Sequence, residues 1–327
     1  MSHHPTLIRS ITYHGLNSGV RLIVLGAVHG NETCGTLGIE RVMAALDSGE
    51  LILNRGLVTF VPIANPLAFS RRQRMGERNL NRNFRISDPP VDFEDHLANR
   101  LGPLLARHDV LLDLHSFHTP GEPFVMLGPP NNTGELEPFT QAAEEEALAR
   151  RLGARRIVEG WLETYALGVA RRLRHPNPDL RAQMLGTDPG YGIGTTEFMR
   201  AQGGYALTLE CGQHEAPDAP HVAHQAILNT LAHLHLVDSL PLPAPVSHPQ
   251  VLKLVDVIDR NHPQDHFSRD WTSFDPIHTG DEIGRRHDGT PVLAPADGFI
   301  VFPNPNALPG NEWFYRAEPS FRLAPSN

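Results

Sequence analysis

Residues 21–32, RLIVLGAVHGNE, decide how the rest of the chain is read. The run Leu22-Ile23-Val24-Leu25 is apolar and short, the pattern of a buried strand. Gly26 and then Gly30-Asn31 break that pattern just past the run. His29 and Glu32 therefore stand in a loop at a strand's end, spaced H-x-x-E. A neutral imidazole and a carboxylate placed in this way can reach one divalent cation. Zinc accepts the pair, and a catalytic zinc site needs one further protein ligand and a position left for water. The rest of the chain must then supply a third ligand, a base and a clamp for substrate.

The length, 327 residues, allows two domains, and a hydrophobic fraction of 40% allows a sizeable core. A net charge of −9 argues against a nucleic-acid-binding face. Two cysteines, Cys34 and Cys211, build no disulfide framework and fit a reducing cytoplasm. No apolar run is long enough to span a membrane, and the start, MSHHPTLIRS, lacks the apolar core of a signal peptide. With nineteen histidines in the chain, a histidine by itself identifies nothing.

The first twenty residues read as a short strand or hairpin, with a turn at Asn17-Ser18-Gly19. Residues 36–46 have helical spacing of apolar positions, and 57–63, LVTFVPI, read as a second strand ended by Asn65-Pro66. The segment 70–85, SRRQRMGERNLNRNFR, holds six arginines with Asn79, Asn81 and Asn83 among them. Directly after a strand, it reads as a clamp for carboxylates, which arginine grips bidentately. Residues 93–105 form an amphipathic helix, and 110–114, VLLDL, a strand ending in His115. Asp113 and His115 share a face of that strand, so Asp113 can support a ligand imidazole. Residues 120–138 read as a long loop with a short strand at 124–127, and 174–196 as a stretch broken by Pro and Gly. A helix at 139–152 carries Glu144-Glu145-Glu146, read as a solvated face. The strand YALTL, 205–209, ends in Glu210, and a helix at 221–238 carries His221, His224, His233 and His235 on its surface. The proline-rich stretch 239–250 reads as a linker. It divides a domain of residues 1–240 from a small all-β domain of residues 241–327.

Three strands thus end in ionisable residues: His29 with Glu32, His115, and Glu210. Ligands bind beyond the carboxyl ends of strands in open α/β sheets. His29, Glu32 and His115 are assigned to zinc, one per chain, and Glu210 to the proton transfer from a zinc-activated water. An arginine and the metal stabilise the oxyanion. Cys211 has no oriented histidine and is not read as a nucleophile.

These residues resemble the succinylglutamate desuccinylase/aspartoacylase family, a branch of the zinc carboxypeptidase-like hydrolases. The resemblance rests on GAVHGNE (26–32), NLNRNF (79–84), DLHS (113–116) and LECG (209–212), in that order. It covers most of residues 21–238. It implies an α/β fold, a mixed β-sheet flanked by helices, with a small C-terminal all-β domain. It also implies a mononuclear zinc on His29, Glu32 and His115, with Glu210 as general base. Arg74, seven residues before Asn81, takes the position of the arginine that polarises the scissile carbonyl. Asn81 and Arg82 take the substrate-carboxylate positions, Arg200 that of a further substrate-binding arginine, and Tyr315 that of a tyrosine from the β domain. Two departures are Asn79, where an acidic residue is common, and Cys211-Gly212-Gln213-His214 after the base.

The sequence therefore leads to the expectation of a cytoplasmic, zinc-dependent amidohydrolase that removes an acyl group from a small N-acyl amino acid. The alternatives are a metallocarboxypeptidase acting on short peptides and a non-enzymatic metal- or ligand-binding protein. No nucleic-acid or membrane partner is expected, and the oligomeric state, a homo-oligomer included, stays open.

Overall fold

The computed structural model describes residues 7–174 and 187–323. Residues 175–186, part of the stretch read as broken by Pro and Gly, lie outside the described residues. The chain forms two compact units. The first comprises Met1–Phe117, Pro123–Ile157 and Ile193–Pro249; the second comprises His118–Glu122, Val158–Gly192 and Gln250–Asn327.

The first unit is a mixed β-sheet flanked by helices. Its strands are β1 (Ile11–His14), β2 (Asn17–Leu25), β3 (Arg55–Val61), β4 (Val110–Phe117) and β5 (Phe124–Met126). After β6 (Arg156–Glu159), where the chain passes from the first unit into the second, β7 (Tyr205–Gln213) completes the set. β3, β2, β4 and β7 lie side by side and parallel, with β1 antiparallel on β3 and β5 antiparallel on β7. All eight residues of β4 are buried. A parallel strand covered on both faces reads as a nearly continuous apolar run, as VLLDL does apart from Asp113. Helix α1 (Cys34–Ser48) follows β2, α2 (Pro66–Arg71) follows β3, and α3 (Phe93–Leu105) precedes β4. The buried stripe of α3, Leu97, Ala98, Leu101 and Leu105, meets Ile23, Leu25 and Leu111 of the sheet.

Two expectations are corrected in this unit. The turn falls on Gly15-Leu16, and Asn17 already begins β2. The strand before it pairs with β3 instead of forming a hairpin with β2. A side chain at 15 would put its Cβ 2.4 Å from the Arg55 backbone, so the close crossing needs glycine. The acidic triple is the other. Glu145 is fully buried on the helix Ala142–Ala149, facing inward with Ala142, Leu148 and Ala149. Its partner, Arg200, lies 55 residues away in the chain and no local pattern points to it.

In the second unit, a helix, Trp161–Leu173, lies against β8 (Gln250–Asp259). From Gln250 onward every described helix or strand element is a strand. These are β9 (His266–Phe267), β10 (Pro276–Ile277), β11 (Glu282–Arg285), β12 (Pro291–Leu293), β13 (Gly298–Val301) and β14 (Glu312–Pro319). β8, β14, β13 and β10 pair antiparallel in that order, and β11 pairs with β9 and β12. Trp271, Ile283, Ile300, Trp313 and Phe314 form the core, with Phe267 stacked on Trp313 at 4.5 Å.

Candidate metal centre

β2, β4 and β7 are adjacent and parallel, so the residues at their ends come together. The register places Leu25 beside Asp113 and His115 beside Glu210. The loop after β2 is tied back to the loop after β3. Gly26 N donates to Val61 O at 3.0 Å, Ala64 N to Gly26 O at 2.8 Å, and Asn65 N to Ala27 O at 3.0 Å. A Cβ at position 30 would sit 1.9 Å from the Ala68 backbone, so the H-G-N-E turn needs glycine to rest against α2.

His29, Glu32 and His115 are buried, and their ligand atoms lie within 4.8 Å of one another. His29 Nδ1 is 2.8 Å from Glu32 Oε1, and His115 Nδ1 is 2.9 Å from Glu32 Oε2. The outer nitrogens are also held. His29 Nε2 lies 3.0 Å from Asn79 Oδ1, and His115 Nε2 lies 3.1 Å from Asp113 Oδ2. The Asn81 backbone N–H donates to Asn79 Oδ1 at 2.9 Å and so orients that amide. Each imidazole faces an oxygen at both nitrogens, yet a neutral imidazole has a single N–H to give. With the N–H groups directed outward, both Nδ1 lone pairs converge on one carboxylate. Such a set of donors suits a cation, and two imidazoles with one carboxylate fit zinc.

The electrostatics agree. Burial, then the Arg74 charge, push His29 down to about 4, so it is neutral. Burial opposes the His115 imidazolium, but Asp113 and Glu32 outweigh it and carry its pKa well above the usual value. Among these residues alone, a proton on His115 balances the charge; a metal competes with that proton for the same nitrogen. Burial likewise opposes the Glu32 carboxylate, and His29 and His115 prevail, holding it well below the ordinary range. Burial raises Glu210 to about 8, with His115 opposing and Glu32 adding. Its Oε2 is buried with no partner among the described residues. A divalent cation at the cluster would draw that pKa down.

The arginine segment is sorted by its partners. Arg74 Nη1 donates to Glu32 Oε1 at 3.0 Å, while 51% of its side chain is exposed. Arg78 is engaged by Asp92 at 2.6 Å and Asp95 at 2.8 Å and serves the loop's own structure. Glu94, fully buried, accepts from Asn65 Nδ2 and from the backbone N–H of Gly76, Glu77 and Arg78. This carboxylate shapes the loop that leads to Asn79 and Asn81. Asn81 Oδ1 accepts from Thr195 N at 2.9 Å, and Arg82 Nη1 donates to Asn81 O at 2.9 Å.

Arg200 and Tyr315 were also expected to bind substrate. Arg200 is buried, and its guanidinium is given to Glu145, Glu137 and the Ala206 carbonyl at 2.7–3.1 Å. Its donors are committed to holding a helix and β7 together, which leaves little for a substrate. Tyr315 lies on β14 of the second unit, buried beside Trp161, ring centroids 5.3 Å apart. Asp113, expected to support an imidazole, meets that of His115. The sequence reading missed Glu94, Thr195 and the supporting part of Asn79. Glu94 alone left a local signal, since it shares the apolar stripe of α3 with Leu97, Ala98 and Leu101.

Residues 18–120 match the succinylglutamate desuccinylase/aspartoacylase catalytic domain. That stretch carries His29, Glu32, Arg74, Asn81, Arg82 and His115. A probable aspartoacylase of Trichodesmium erythraeum is 30% identical over 105 residues, covering 29% of this chain and 35% of that protein. The match thus spans about a third of the relative's length. Among solved structures, a succinylglutamate desuccinylase/aspartoacylase from Rhodobacter sphaeroides superposes with a TM-score of 0.70 at 19% identity, over 96% of this chain and 90% of its own. The ectoine utilization protein EutE from Ruegeria pomeroyi, in its product-bound structure, gives 0.67 at 19% identity, over 94% and 88%. An aspartoacylase family protein from Mesorhizobium loti gives 0.64 at 19% identity, over 96% and 90%. At such identities these likenesses establish a shared fold. Among the described residues, no helix is long and apolar enough to cross a membrane.

Proposed function

We propose that this protein is a zinc-dependent amidohydrolase that splits an N-acyl amino acid into a carboxylate and a free amino acid. The observation that carries the reading is the buried trio His29, Glu32 and His115, with Glu210 beside His115 on the next strand.

His29 and His115 through Nδ1, with the Glu32 carboxylate, would hold the metal. Zinc in such a site lowers the pKa of a bound water and polarises a carbonyl. Glu210 takes a proton from the attacking water and returns it to the leaving nitrogen, which otherwise departs as a costly amide anion. Its buried, unpartnered Oε2 is the atom assigned to that proton. Arg74, held at the cluster's edge by Glu32 and half exposed, donates to the carbonyl oxygen as negative charge develops there. Asn81 has given its Oδ1 to Thr195, so its amide N–H groups remain for a substrate carboxylate, with Arg82 adjoining. Asn79 and Asp113 keep the imidazoles turned so that Nδ1 faces inward. Both cysteines are buried free thiols, which fits a reducing compartment.

The test is release of free amine from a panel of N-acetyl, N-formyl and N-succinyl amino acids, with zinc content measured alongside. We expect one zinc per chain and preference for one acyl class. Glu210→Gln is expected to retain zinc and lose about two to four orders of magnitude in kcat. Undiminished turnover in that variant would sink the mechanism. A silent panel with zinc bound would redirect the reading to peptide substrates.

A further inference from the structure

Thr195 opens the helix Thr195–Ala201 and is fully buried. Both of its polar groups point to the site. Its backbone N–H donates to Asn81 Oδ1 at 2.9 Å, and its hydroxyl donates to Asp113 Oδ2. Asp113 is itself fully buried, and the same oxygen lies 3.1 Å from His115 Nε2 in an ion-pair contact. On its other side Asn81 donates its backbone N–H to Asn79 Oδ1, the atom that faces His29 Nε2. A chain of polar contacts therefore runs His115, Asp113, Thr195, Asn81, Asn79, His29, hydrogen-bonded at every link except the ion-pair contact between His115 and Asp113.

The packing leaves room for this path only because residue 194 is glycine. A Cβ there would lie 2.0 Å from Asn81 Oδ1. Its φ of −111° is open to any residue, so the requirement is space and not backbone conformation. A larger residue would push Asn81 off the helix start and cut the path in the middle.

We propose that Thr195 is a positioning residue of the metal centre: its hydroxyl orients Asp113, and so His115, while its N–H ties that support to Asn81. The inference rests on the zinc reading given above. Physically, Asp113 can turn about its side-chain bonds, and Oδ2 serves His115 well in one orientation. Thr195 supplies a second donor that selects that orientation. Valine has nearly the same shape but no hydroxyl, and would leave a fully buried carboxylate short of one donor. Asn81 holds Thr195 on one side and Asn79 on the other, so both imidazoles are oriented through the residue assigned to the substrate carboxylate.

The experiment uses the full chain and measures the zinc dissociation constant by competition with a chromophoric chelator, without substrate. Thermal melting of each variant checks that it folds. Loss of an outer partner of a ligand typically costs about 10–100-fold in metal affinity. Thr195→Val is expected to lose that much, and Thr195→Ser, which keeps the hydroxyl and drops the methyl, to bind zinc like the wild type. A packing role would show the reverse order, with serine the worse. Asn81→Ala, at a half-buried position, is expected to weaken zinc as well, and it supplies the test if Thr195→Val does not fold. Wild-type zinc affinity in either folded Thr195→Val or Asn81→Ala overturns the inference, as does a serine variant as weak as the valine. Failure of the wild type to take up zinc would instead overturn the metal reading itself.

Discussion

Arginine and carboxylate meet in two regions of the first unit, with opposite results. In the segment that follows α2, Arg74 donates to Glu32 and keeps 51% of its side chain exposed. In the region where the helices Ala142–Ala149 and Thr195–Ala201 flank β7, Arg200 is 3% exposed and bonded to Glu145, Glu137 and a backbone carbonyl. The residue type is the same and both lie within the same unit. What differs is the number of acceptors within reach. A guanidinium offers five donors; one that spends them on buried partners is structural, and one that keeps most of them can act on something that arrives. Arg78 makes the same point inside the arginine segment, since Asp92 and Asp95 commit it to the loop.

The largest test of this contrast is Arg200→Met. It removes the cation from among Glu145, Glu137 and Glu197, and breaking a buried pair in this way costs about 3–5 kcal/mol. Chemical denaturation should show that loss. A variant that folds with undiminished stability but a raised KM would erase the contrast and return Arg200 to substrate binding. Arg74→Ala is expected to leave stability within about 0.5 kcal/mol. Its kcat should fall by about 10²–10³-fold, as when an oxyanion donor is removed. A rise in KM at constant kcat would make Arg74 a ground-state binder instead.

The smallest effect is a pH dependence. Burial raises Glu137 from 4.5 to about 7, with Arg200 opposing and Glu197 adding. The folded state therefore binds a proton that the unfolded state releases. The resulting stability is fully present below about pH 4.5 and is lost as pH rises through about 7. Glu137→Gln should flatten the decline in stability between pH 5 and 8 relative to the wild type. An equal decline in both proteins would show that Glu137 is not the group responsible.

The two regions also differ in how far they can be read in advance. His29, Glu32 and His115 stand at strand ends announced by apolar runs, so position along the chain implies position in space. Glu94 could have been noticed from its phase on α3, among Leu97, Ala98 and Leu101. Glu145 could not be told from Glu144 and Glu146 without the phase of its helix, and the solvated reading failed there. Its value to the fold comes from Arg200 and Ala206, far along the chain. The partners of Arg200 were equally hidden, because its spacing from Glu210 says nothing of the carboxylates that meet it. The turn at Gly15-Leu16 was misplaced because β1 pairs with a strand that the chain has not yet reached.

The sequence by itself determined a mixed sheet of covered strands, with His29, Glu32, His115 and Glu210 at strand ends. Short apolar runs ending in His, Glu and Asp can be satisfied only by a covered sheet with polar residues gathered at one end. Tertiary structure alone decided which partner each polar group received: Asn79 for His29, Asp113 with Thr195 for His115, Glu94 for the arginine loop, and three carboxylates for Arg200. Hydrogen bonds require their atoms within about 3 Å. Distances of that order between residues tens of positions apart follow from how helices and strands pack, which no local spacing encodes.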